Sequence, residues 1–335
     1  MKPTIYDVAE KAGVSIATVS KVINDTGRIS EETRNKVLKI MRELEYQPSS
    51  VAAALTGKQT FTIGVLVPDI SNAFFAEVAR ALENNAREMG YSIILCSTDY
   101  QIEREHDYLE LLQKKQVDGI IIATEPEDWK AYKSLQKRDI PHLMFSVDSL
   151  RFSSHIVTTD DVRGGYMAGR YLLDMGHREI AIIAEQNRAS GRMRLEGFKK
   201  SLADEGVVLK SEWTLNAMSK IDDAKAAARK ILQLENRPTA VFASTDLIAA
   251  ILIKEARKAH IRIPSDLSIV GFDDSIYAEL TDPGLTTIAQ PKQELAKFAM
   301  DQLLKLIKDP RIPQQRIMLS PRLVERKSVR NLNNL

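Results

Sequence analysis

The side chains of this chain that could do chemistry follow short apolar runs. Carboxylates, hydroxyls and aromatic rings come directly after these runs, namely Asp69, Ser71, Asn72, Phe74, Phe75, Ser146, Asp148, Asp160, Thr245, Asp246, Asp273 and Asp274. Arg194, in the run Arg194-Leu195-Glu196-Gly197-Phe198, adds a guanidinium. These groups suit a polyhydroxylated ligand, because a ring stacks on its apolar face while carboxylates and a guanidinium exchange hydrogen bonds with its hydroxyls. The pattern predicts a ligand site, with core packing of the two phenylalanines and helix capping by Asp274 as alternatives.

Known catalytic patterns are missing from the sequence. Five histidines are scattered along it, at His106, His142, His155, His177 and His260, and no HExxH, GxSxG, GxGxxG or GxxxxGK pattern occurs. The dipeptide Gly57-Lys58 does not complete a phosphate-binding loop, since Ala52 stands where that loop needs glycine. The single cysteine, Cys96, forms neither an internal disulfide nor a CxxC metal pair. We therefore expect a protein that is not an enzyme and that uses no metal or other cofactor.

Composition is that of an ordinary soluble protein. The 335 residues are 44% hydrophobic and 27% charged, with a net charge of +2, which argues against disorder and against a membrane-embedded body. Residues 1–60 hold nine Lys and Arg against seven Asp and Glu, so the excess of positive charge lies there. No apolar run approaches the roughly 20 residues that cross a bilayer, and no apolar signal segment is visible. We expect a cytoplasmic protein, in keeping with a lone cysteine.

Three short helices are predicted near the N-terminus. Thr4 and Asp7 have the spacing of a capping box, and Gly13 is suited to end the helix that begins there. The second helix, 16–24, has one apolar face, Val19, Val22 and Ile23, and a different outward face, Ile16, Ala17, Ser20 and Lys21. Ser30 caps a third helix, which closes a small core with Val37, Leu38, Met41 and Leu44. Two short helices joined by a glycine-containing turn match the DNA-binding helix-turn-helix, although a generic three-helix bundle fits the pattern too.

From Phe61 the sequence alternates between apolar strands and helices. Strands are predicted at 63–67, 93–95, 117–123, 180–184, 239–243 and 269–272, with a last helix at 292–308. This alternation indicates parallel sheets covered by helices, and its restart at residue 180 predicts two lobes with a cleft between them. Ligands of such sheets bind at the carboxyl ends of the strands, which is where the polar residues named above lie.

The first sixty residues resemble the DNA-binding headpiece of the LacI/GalR family of bacterial transcription regulators. The resemblance lies in IYDVAEKAGVSIATVSKVIN (5–24), SEETRNKV (30–37) and LEYQP (44–48). It implies base-edge contacts from Ile16, Ala17 and Lys21, and phosphate contacts from Thr4, Ser15, Thr18, Ser20, Asn24 and Thr33. It also implies a hinge that becomes helical on the operator and wedges Leu55 into the central base step from the minor groove.

The remaining residues resemble the effector domain of the same family, which has a periplasmic-binding-protein fold. The motifs are VPDISNAFF (67–75), GHR (176–178), Arg194 followed by Gly197-Phe198, and GFDD (271–274). The resemblance implies that Arg194 and Asp273 are the strongest effector contacts. Ser71, Phe75 and Thr245 would support them.

These features together predict the organisation and the function. We expect a small all-α helix-turn-helix headpiece at 1–47, a hinge at 48–59, and a two-lobed α/β domain for effector binding and dimerisation at 60–335. Crossings near Thr158, Ile288 and Leu319 would make lobe 1 about 60–157 and 290–318, and lobe 2 about 158–288 and 319–330. The expected protein is a repressor that binds a near-palindromic operator as a homodimer, controlled by a sugar-like ligand. The alternative is a phosphorylated carrier protein as co-effector, as in the catabolite-control branch that the Ile16-Ala17 pair resembles.

Overall fold

The structure is a computed structural model, and it forms two compact units, residues 1–60 and 61–335. It describes every residue except 1–2, 24–25, 47–58, 127–131, 134, 136–139, 148–153, 218–220 and 334–335. The predicted contacts Asn24 and Leu55 and most of the predicted hinge therefore lie outside the described residues. Within the described part of the chain, no helix is long and apolar enough to cross a membrane.

The described part of the first unit contains three helices, α1 (Ile5–Ala12), α2 (Ile16–Ile23) and α3 (Glu31–Glu43). The capping box predicted for α1 is present, since the Asp7 amide donates to Thr4 Oγ1 and the Thr4 amide donates to Asp7 Oδ2 at 2.6 Å. Gly13 ends this helix in the left-handed conformation, with φ of 63°. The turn between α1 and α2 thus follows from local chemistry that the sequence displays.

The core of the first unit differs at one position from the prediction. Val8, Ala12, Val19, Val22 and Val37 are buried, but Leu38 is 39% exposed and Ile40 is buried in its place. The prediction for Leu38 was wrong because an α-helix advances by 100° per residue. Val37, Ile40, Met41 and Leu44 therefore form one face at the spacing i, i+3, i+4 and i+7, and Leu38 lies beside it.

The second unit is built on two six-stranded sheets. The first has the order β11-β5-β4-β3-β1-β2 and the second β12-β10-β9-β8-β6-β7. The strands of the first sheet are β1 (Thr62–Val67), β2 (Ser92–Ser97), β3 (Gly119–Ile122), β4 (His142–Phe145), β5 (His155–Thr159) and β11 (Arg316–Leu319). Those of the second are β6 (Ile180–Ala184), β7 (Thr214–Asn216), β8 (Ala240–Ala243), β9 (Ser268–Asp273), β10 (Thr286–Ala289) and β12 (Arg322–Val324). All pairings are parallel except that of β12, which runs antiparallel to β10.

Helices cover both faces of each sheet. They are α4 (Ala73–Glu88), α5 (Ile102–Lys114), α6 (Asp161–Asp174), α7 (Ala189–Asp204), α8 (Ile221–Leu232), α9 (Asp246–Lys258), α10 (Ile276–Leu280) and α11 (Lys292–Lys308), with a short 3-10 turn at Ser211–Trp213. Each sheet has an apolar cluster on either face, which explains why its strands read as continuous apolar runs. The predicted two-lobed α/β fold with a helical headpiece is confirmed.

The chain passes between the two sheets three times. It leaves the first sheet after β5, returns to it after β10, and leaves it again between β11 and β12. Helix α11 follows the second crossing, and its Leu295, Ala299 and Leu303 pack into the core under the first sheet. Three short segments therefore connect the lobes, an arrangement that permits a hinge motion.

Helices α6 and α7 pack unusually closely beneath the second sheet. A Cβ atom on Gly165 would come within 1.9 Å of the Arg194 carbonyl oxygen, and one on Gly197 within 1.8 Å of the Val162 carbonyl oxygen. Only glycine allows two helix backbones to approach so closely. This contact fixes Arg194 against the first turn of α6.

Candidate functional sites: a ligand cleft and a helix-turn-helix surface

A cleft lies where the carboxyl ends of both sets of strands meet. Its walls come from the first sheet and from the second. Polar and aromatic residues dominate the lining, which consists of Pro68, Asn72, Phe74, Phe75, Tyr100, Ala123, Glu125, Ser146, Val147, Asp161, Glu185, Arg188, Ala189, Ser190, Arg194, Thr245, Asp273 and Gln290. Its mixed polar and aromatic lining is that of a small-molecule site.

Arg194 lies at the base of the cleft with its guanidinium almost fully buried. Nε donates to Asp161 Oδ1 at 2.7 Å and Nη1 donates to the Ser244 carbonyl oxygen at 2.6 Å. Its guanidinium carbon lies 3.6 Å from the centroid of the Phe272 ring. The charge is thus paired and stacked, as a buried guanidinium requires.

Asp273 faces Arg194 across the base of the cleft. Its Oδ1 lies 3.7 Å from Arg194 Nη1 and accepts a hydrogen bond of 2.7 Å from Gln290 Nε2. Burial raises the pKa of the Asp273 carboxyl, against the opposing effect of the Arg194 charge. Its φ of 120° is rare for a residue with a side chain, and such strain is typical of ligand sites.

Two residues of this cluster, Asp161 and Gln290, were not predicted. Asp161 opens α6 directly after β5, and Gln290 follows β10. Both lie where the chain crosses between the sheets, and Thr159 Oγ1 donates to Gln290 Oε1 at 2.7 Å. Ligand-binding residues of such sheets follow the carboxyl ends of strands, as Asp273 does. Asp161 and Gln290 also follow strands, so the same rule would have identified them if β5 and β10 had been included among the predicted strands.

Of the other predicted effector contacts, two line the cleft and one does not. Phe75 lines the cleft, with its ring edge-on to the buried Phe74 at a centroid distance of 5.1 Å. Thr245 also lines it, and its Oγ1 caps α9 by accepting from the Ile248 amide at 3.3 Å. Ser71 is not among the lining residues. Its hydroxyl donates to Asp69 Oδ1 at 2.7 Å, and the neighbouring Asn72 lines the cleft instead.

Several of the remaining polar residues after strands have structural partners. Asp246 Oδ2 accepts from the Ser275 amide at 2.7 Å and its Oδ1 accepts from Thr287 Oγ1 at 2.6 Å. Asp274 does not cap a helix, because its Oδ1 accepts from Arg326 Nη2 at 2.8 Å. Asp160 caps α6. These carboxylates hold the strand ends in place and leave Asp161 and Asp273 at the base of the cleft.

The cleft is bridged by contacts between its two walls. Glu125, after β3, accepts through Oε2 from the Ala189 amide at 2.8 Å and through Oε1 from Arg192 Nη2 at 3.2 Å. Arg188 lies over the Tyr100 ring with 4.0 Å between its guanidinium carbon and the ring centroid. The lobes are therefore held together across the cleft in this structure.

The helix-turn-helix exposes one face of α2. Val19 and Val22 are buried against α1 and α3, whereas Ile16, Ala17 and Lys21 are exposed on the opposite side. Three of the predicted phosphate-contacting hydroxyls, those of Thr4, Ser15 and Thr33, stand at helix starts, whereas Ser20 lies in the middle of α2. Thr4 caps α1, the Ser15 hydroxyl accepts from the Thr18 amide at 3.1 Å, and Thr33 Oγ1 lies 2.8 Å from the capping Ser30 Oγ. Each of α1, α2 and α3 thus begins at a hydroxyl cap, and helix N-termini attract phosphate.

Among the described residues, no group of His, Cys, Asp or Glu has the arrangement of a metal site. Several of the histidines have structural partners, and His142 Nδ1 lies 2.7 Å from the Ile140 carbonyl oxygen. His177 Nε2 lies 3.1 Å from the Arg330 carbonyl oxygen and its Nδ1 lies 2.9 Å from Thr239 Oγ1. His155 Nδ1 lies 3.0 Å from Gln302 Nε2 inside the first lobe.

Comparison with known proteins agrees with this architecture. The model described as bacterial regulatory proteins, lacI family, matches residues 4–49, and a periplasmic binding protein-like domain matches residues 170–329. The HTH-type transcriptional regulator DegA of Bacillus subtilis is 43% identical over 99% of this chain and 100% of its own length. The HTH-type transcriptional repressor PurR of Vibrio vulnificus is 38% identical over 98% of this chain and 99% of its own.

Solved structures match most of the chain as well. A Lac repressor dimer bound to operator and the anti-inducer ONPF has a TM-score of 0.87 at 28% identity, covering 98% of this chain and 100% of that chain. A LacI-family regulator from Enterococcus faecium with bound ribose has a TM-score of 0.72 at 35% identity, covering 81% and 99%. The chain therefore belongs to the LacI family of bacterial transcriptional regulators: it is a repressor with a helix-turn-helix domain and a periplasmic-binding-protein-like ligand domain, and not an enzyme.

Proposed function

We propose that this repressor binds a near-palindromic operator as a homodimer and is controlled by a sugar-like ligand in its cleft. Residues 1–47 read the DNA, residues 48–59 form the hinge, and residues 60–335 bind the effector and dimerise. The lobes divide at about 157/158, 288/290 and 318/319. The observation that carries the DNA-binding part is the two-faced α2, which buries Val19 and Val22 and exposes Ile16, Ala17 and Lys21.

On the DNA side, Ile16, Ala17 and Lys21 lie on one exposed surface suited to base edges in the major groove. Lys21 presents a flexible ammonium, so a single guanine contact is expected from it rather than a bidentate one. The phosphate contacts are proposed for Thr4, Ser15, Thr18, Ser20, Asn24 and Thr33. Leu55 is proposed as the minor-groove wedge, by resemblance to the family. A twofold arrangement of half-sites requires a dimer.

On the ligand side, Arg194 and Asp273 are proposed as the main contacts, supported by Phe75, Thr245 and Ser71. Arg194 and Asp273 are buried residues of the cleft lining, and Phe75 also lines the cleft. This combination suits a hydroxylated ring, and the similar Enterococcus faecium regulator was solved with bound ribose. The function also places the protein in the cytoplasm, where operator DNA lies.

The DNA-binding proposal is tested by selecting duplexes from a randomised near-palindromic pool and measuring affinity at fixed salt. Lys21→Ala should weaken binding to the selected duplex by about 10- to 100-fold and relax the preference at one base position. Lys39→Ala, an exposed lysine of α3 outside the proposed contacts, is the matched control and should change affinity little. Equal losses for the two variants would contradict a reading role for α2.

The cleft contacts favour a small ligand over the phosphorylated carrier protein as the controlling partner. Arg194 is almost fully buried, so a protein docked on the outside of a lobe would not contact it. Isothermal titration with a panel of free sugars, beginning with D-ribose, should show binding to the wild type and loss of binding in Arg194→Ala. If a phosphorylated carrier protein bound both proteins equally and no sugar bound either, the carrier-protein alternative would replace this proposal.

A further inference from the structure

We propose that Glu125 determines the charge class of the effector by filling a position in the cleft, the start of α7, that is suited to an anion. The ligand selected is then uncharged and carries no phosphate. This inference deepens the proposed function, because it rests on the cleft being the effector site. It concerns a specificity-determining residue that the sequence patterns did not single out.

The position filled by Glu125 is the N-terminus of α7. Ala189 is the first residue of that helix, and its amide donates to Glu125 Oε2 at 2.8 Å. Arg192, one turn further, donates to Glu125 Oε1 at 3.2 Å. Backbone amides at a helix start together with a guanidinium form a typical phosphate-binding arrangement. Here a carboxylate from the opposite wall of the cleft already occupies it.

The cationic groups that line the cleft are engaged as well. Arg194 is held by Asp161, by the Ser244 carbonyl oxygen and, at 3.7 Å, by Asp273. Arg188 lies over the Tyr100 ring. Each of the two arginines among the described lining residues therefore has a carboxylate or an aromatic ring beside it.

The balance of charge along the lining has the same consequence. The described lining carries four carboxyl groups and two guanidinium groups, namely those of Glu125, Asp161, Glu185, Asp273, Arg188 and Arg194. A phosphate dianion entering this cleft comes close to the carboxylates of Glu125, Asp161 and Glu185 in a partly desolvated space, where like charges repel strongly. Hydroxyl groups instead find carboxylate acceptors. The lining thus accepts a neutral polyol and rejects its phosphate ester.

Removing Glu125 should convert the start of α7 into an anion site. The first probe is inorganic phosphate, titrated at pH 7.5 against sodium chloride of equal ionic strength, with melting temperature as the readout. Wild-type protein should show no saturable difference between the salts. Glu125→Ala should show a saturable rise of about 5 °C at phosphate concentrations ~100-fold above its dissociation constant.

Two further variants complete the design. Glu125→Gln keeps the size of the side chain but loses its charge, and it should give a smaller rise in the same direction even if Glu125→Ala is too unstable to measure. Glu196→Ala removes an exposed carboxylate of the same helix outside the cleft lining, and it should behave as the wild type does. A saturable phosphate effect in the wild type, or none in either Glu125 variant, would overturn the proposal.

The second probe is a pair of ligands, D-ribose and D-ribose 5-phosphate, measured by calorimetry. Any preference of the wild type for the neutral member should shrink by at least about 10-fold in Glu125→Gln. The phosphate titration requires no natural effector. If the phosphate titration fails, only the role of Glu125 is contradicted. If the Glu125 variants respond to phosphate but no sugar binds, the proposed effector site is contradicted.

Discussion

Thr159 and Gln290 are hydrogen bonded to each other at the place where the chain crosses twice between the lobes. Thr159 Oγ1 donates to Gln290 Oε1 at 2.7 Å, and both side chains are almost fully buried. Gln290 Nε2 then donates to Asp273 Oδ1 at 2.7 Å, beside Arg194. The base of the cleft is thereby connected to two of the three crossing segments through one amide side chain.

Removing the Thr159 hydroxyl should destabilise the effector domain. Thr159→Val leaves the Gln290 oxygen buried without its donor, and the expected loss in free energy of unfolding is about 1–3 kcal/mol. Urea denaturation followed by tryptophan fluorescence measures it, because both tryptophans, Trp129 and Trp213, lie beyond residue 60. The neighbouring Thr158→Val is the control, since that hydroxyl reaches only the Thr159 carbonyl oxygen at 3.3 Å. Equal losses in the two variants would argue against a special role for the Thr159–Gln290 bond.

Replacing Arg194 should be costly even without ligand. Arg194→Met leaves the carboxyls of Asp161 and Asp273 buried without their cation, with an expected loss of about 3–5 kcal/mol in unfolding free energy. Arg170→Met is a matched control on α6, because Arg170 is 46% exposed and pairs with Asp174 and Glu205 at the surface. Such pairs contribute about 0–1 kcal/mol. Denaturation of the two variants should separate clearly, and a mild effect of Arg194→Met would mean that its ion pairs are not the main support of the cleft.

The buried imidazole of His177 should make stability fall in mild acid. Burial lowers the pKa of His177 to about 4 from an ordinary value of 6.5, so between these values the unfolded chain binds a proton that the folded chain excludes. Stability attributable to His177 is therefore fully present above pH 6.5 and is lost progressively as the pH falls toward 4, by up to about 3 kcal/mol.

The check on His177 is the pH dependence of unfolding in the wild type and in His177→Asn. A plot of unfolding free energy against pH should be less steep for the variant between pH 6.5 and 4, because His177 no longer contributes to it. A pH-independent difference in stability between the two proteins does not affect this comparison. His142 and His155 also have a pKa lowered by burial, so part of the slope should remain. Identical slopes in the two proteins would show that His177 is not the titrating group.

The thiol of Cys96 should be unreactive in the folded protein. Cys96 is 3% exposed and burial raises its pKa to about 11, so almost no thiolate is available at neutral pH. A colorimetric thiol reagent should react slowly with the native protein and rapidly in denaturant. Rapid reaction under native conditions would place Cys96 outside the core that it shares with Leu66 and Leu112.

The alternation of strands and helices could be read from the sequence because parallel strands buried on both faces are continuous apolar runs. β6 and α11 have the predicted bounds 180–184 and 292–308. The antiparallel β12 could not be predicted in the same way, since it has three residues and only partial burial. Caps such as Thr4 and Ser30 were predictable because their chemistry is local.

The cleft was only partly predictable, since its composition depends on how distant segments meet. Arg194, Asp273, Phe75 and Thr245 all line it, whereas Ser71 turns to Asp69 within its own loop. Glu125 and Arg188 escaped the sequence analysis because their roles come from contacts across the cleft, with partners 64 and 88 positions away. The spacing of residues along the sequence does not indicate such pairs.

The central claim is sequence-specific operator binding, and one gel-shift titration tests it most directly. Purified protein is titrated at fixed salt against a near-palindromic duplex with a central CG step, enriched from the randomised pool, and against a scrambled duplex of equal length. We expect a preference of about 1,000-fold or more for the enriched duplex, reduced in Leu55→Ala. No enrichment from the pool, with equal, weak and salt-sensitive binding to both duplexes, would contradict it.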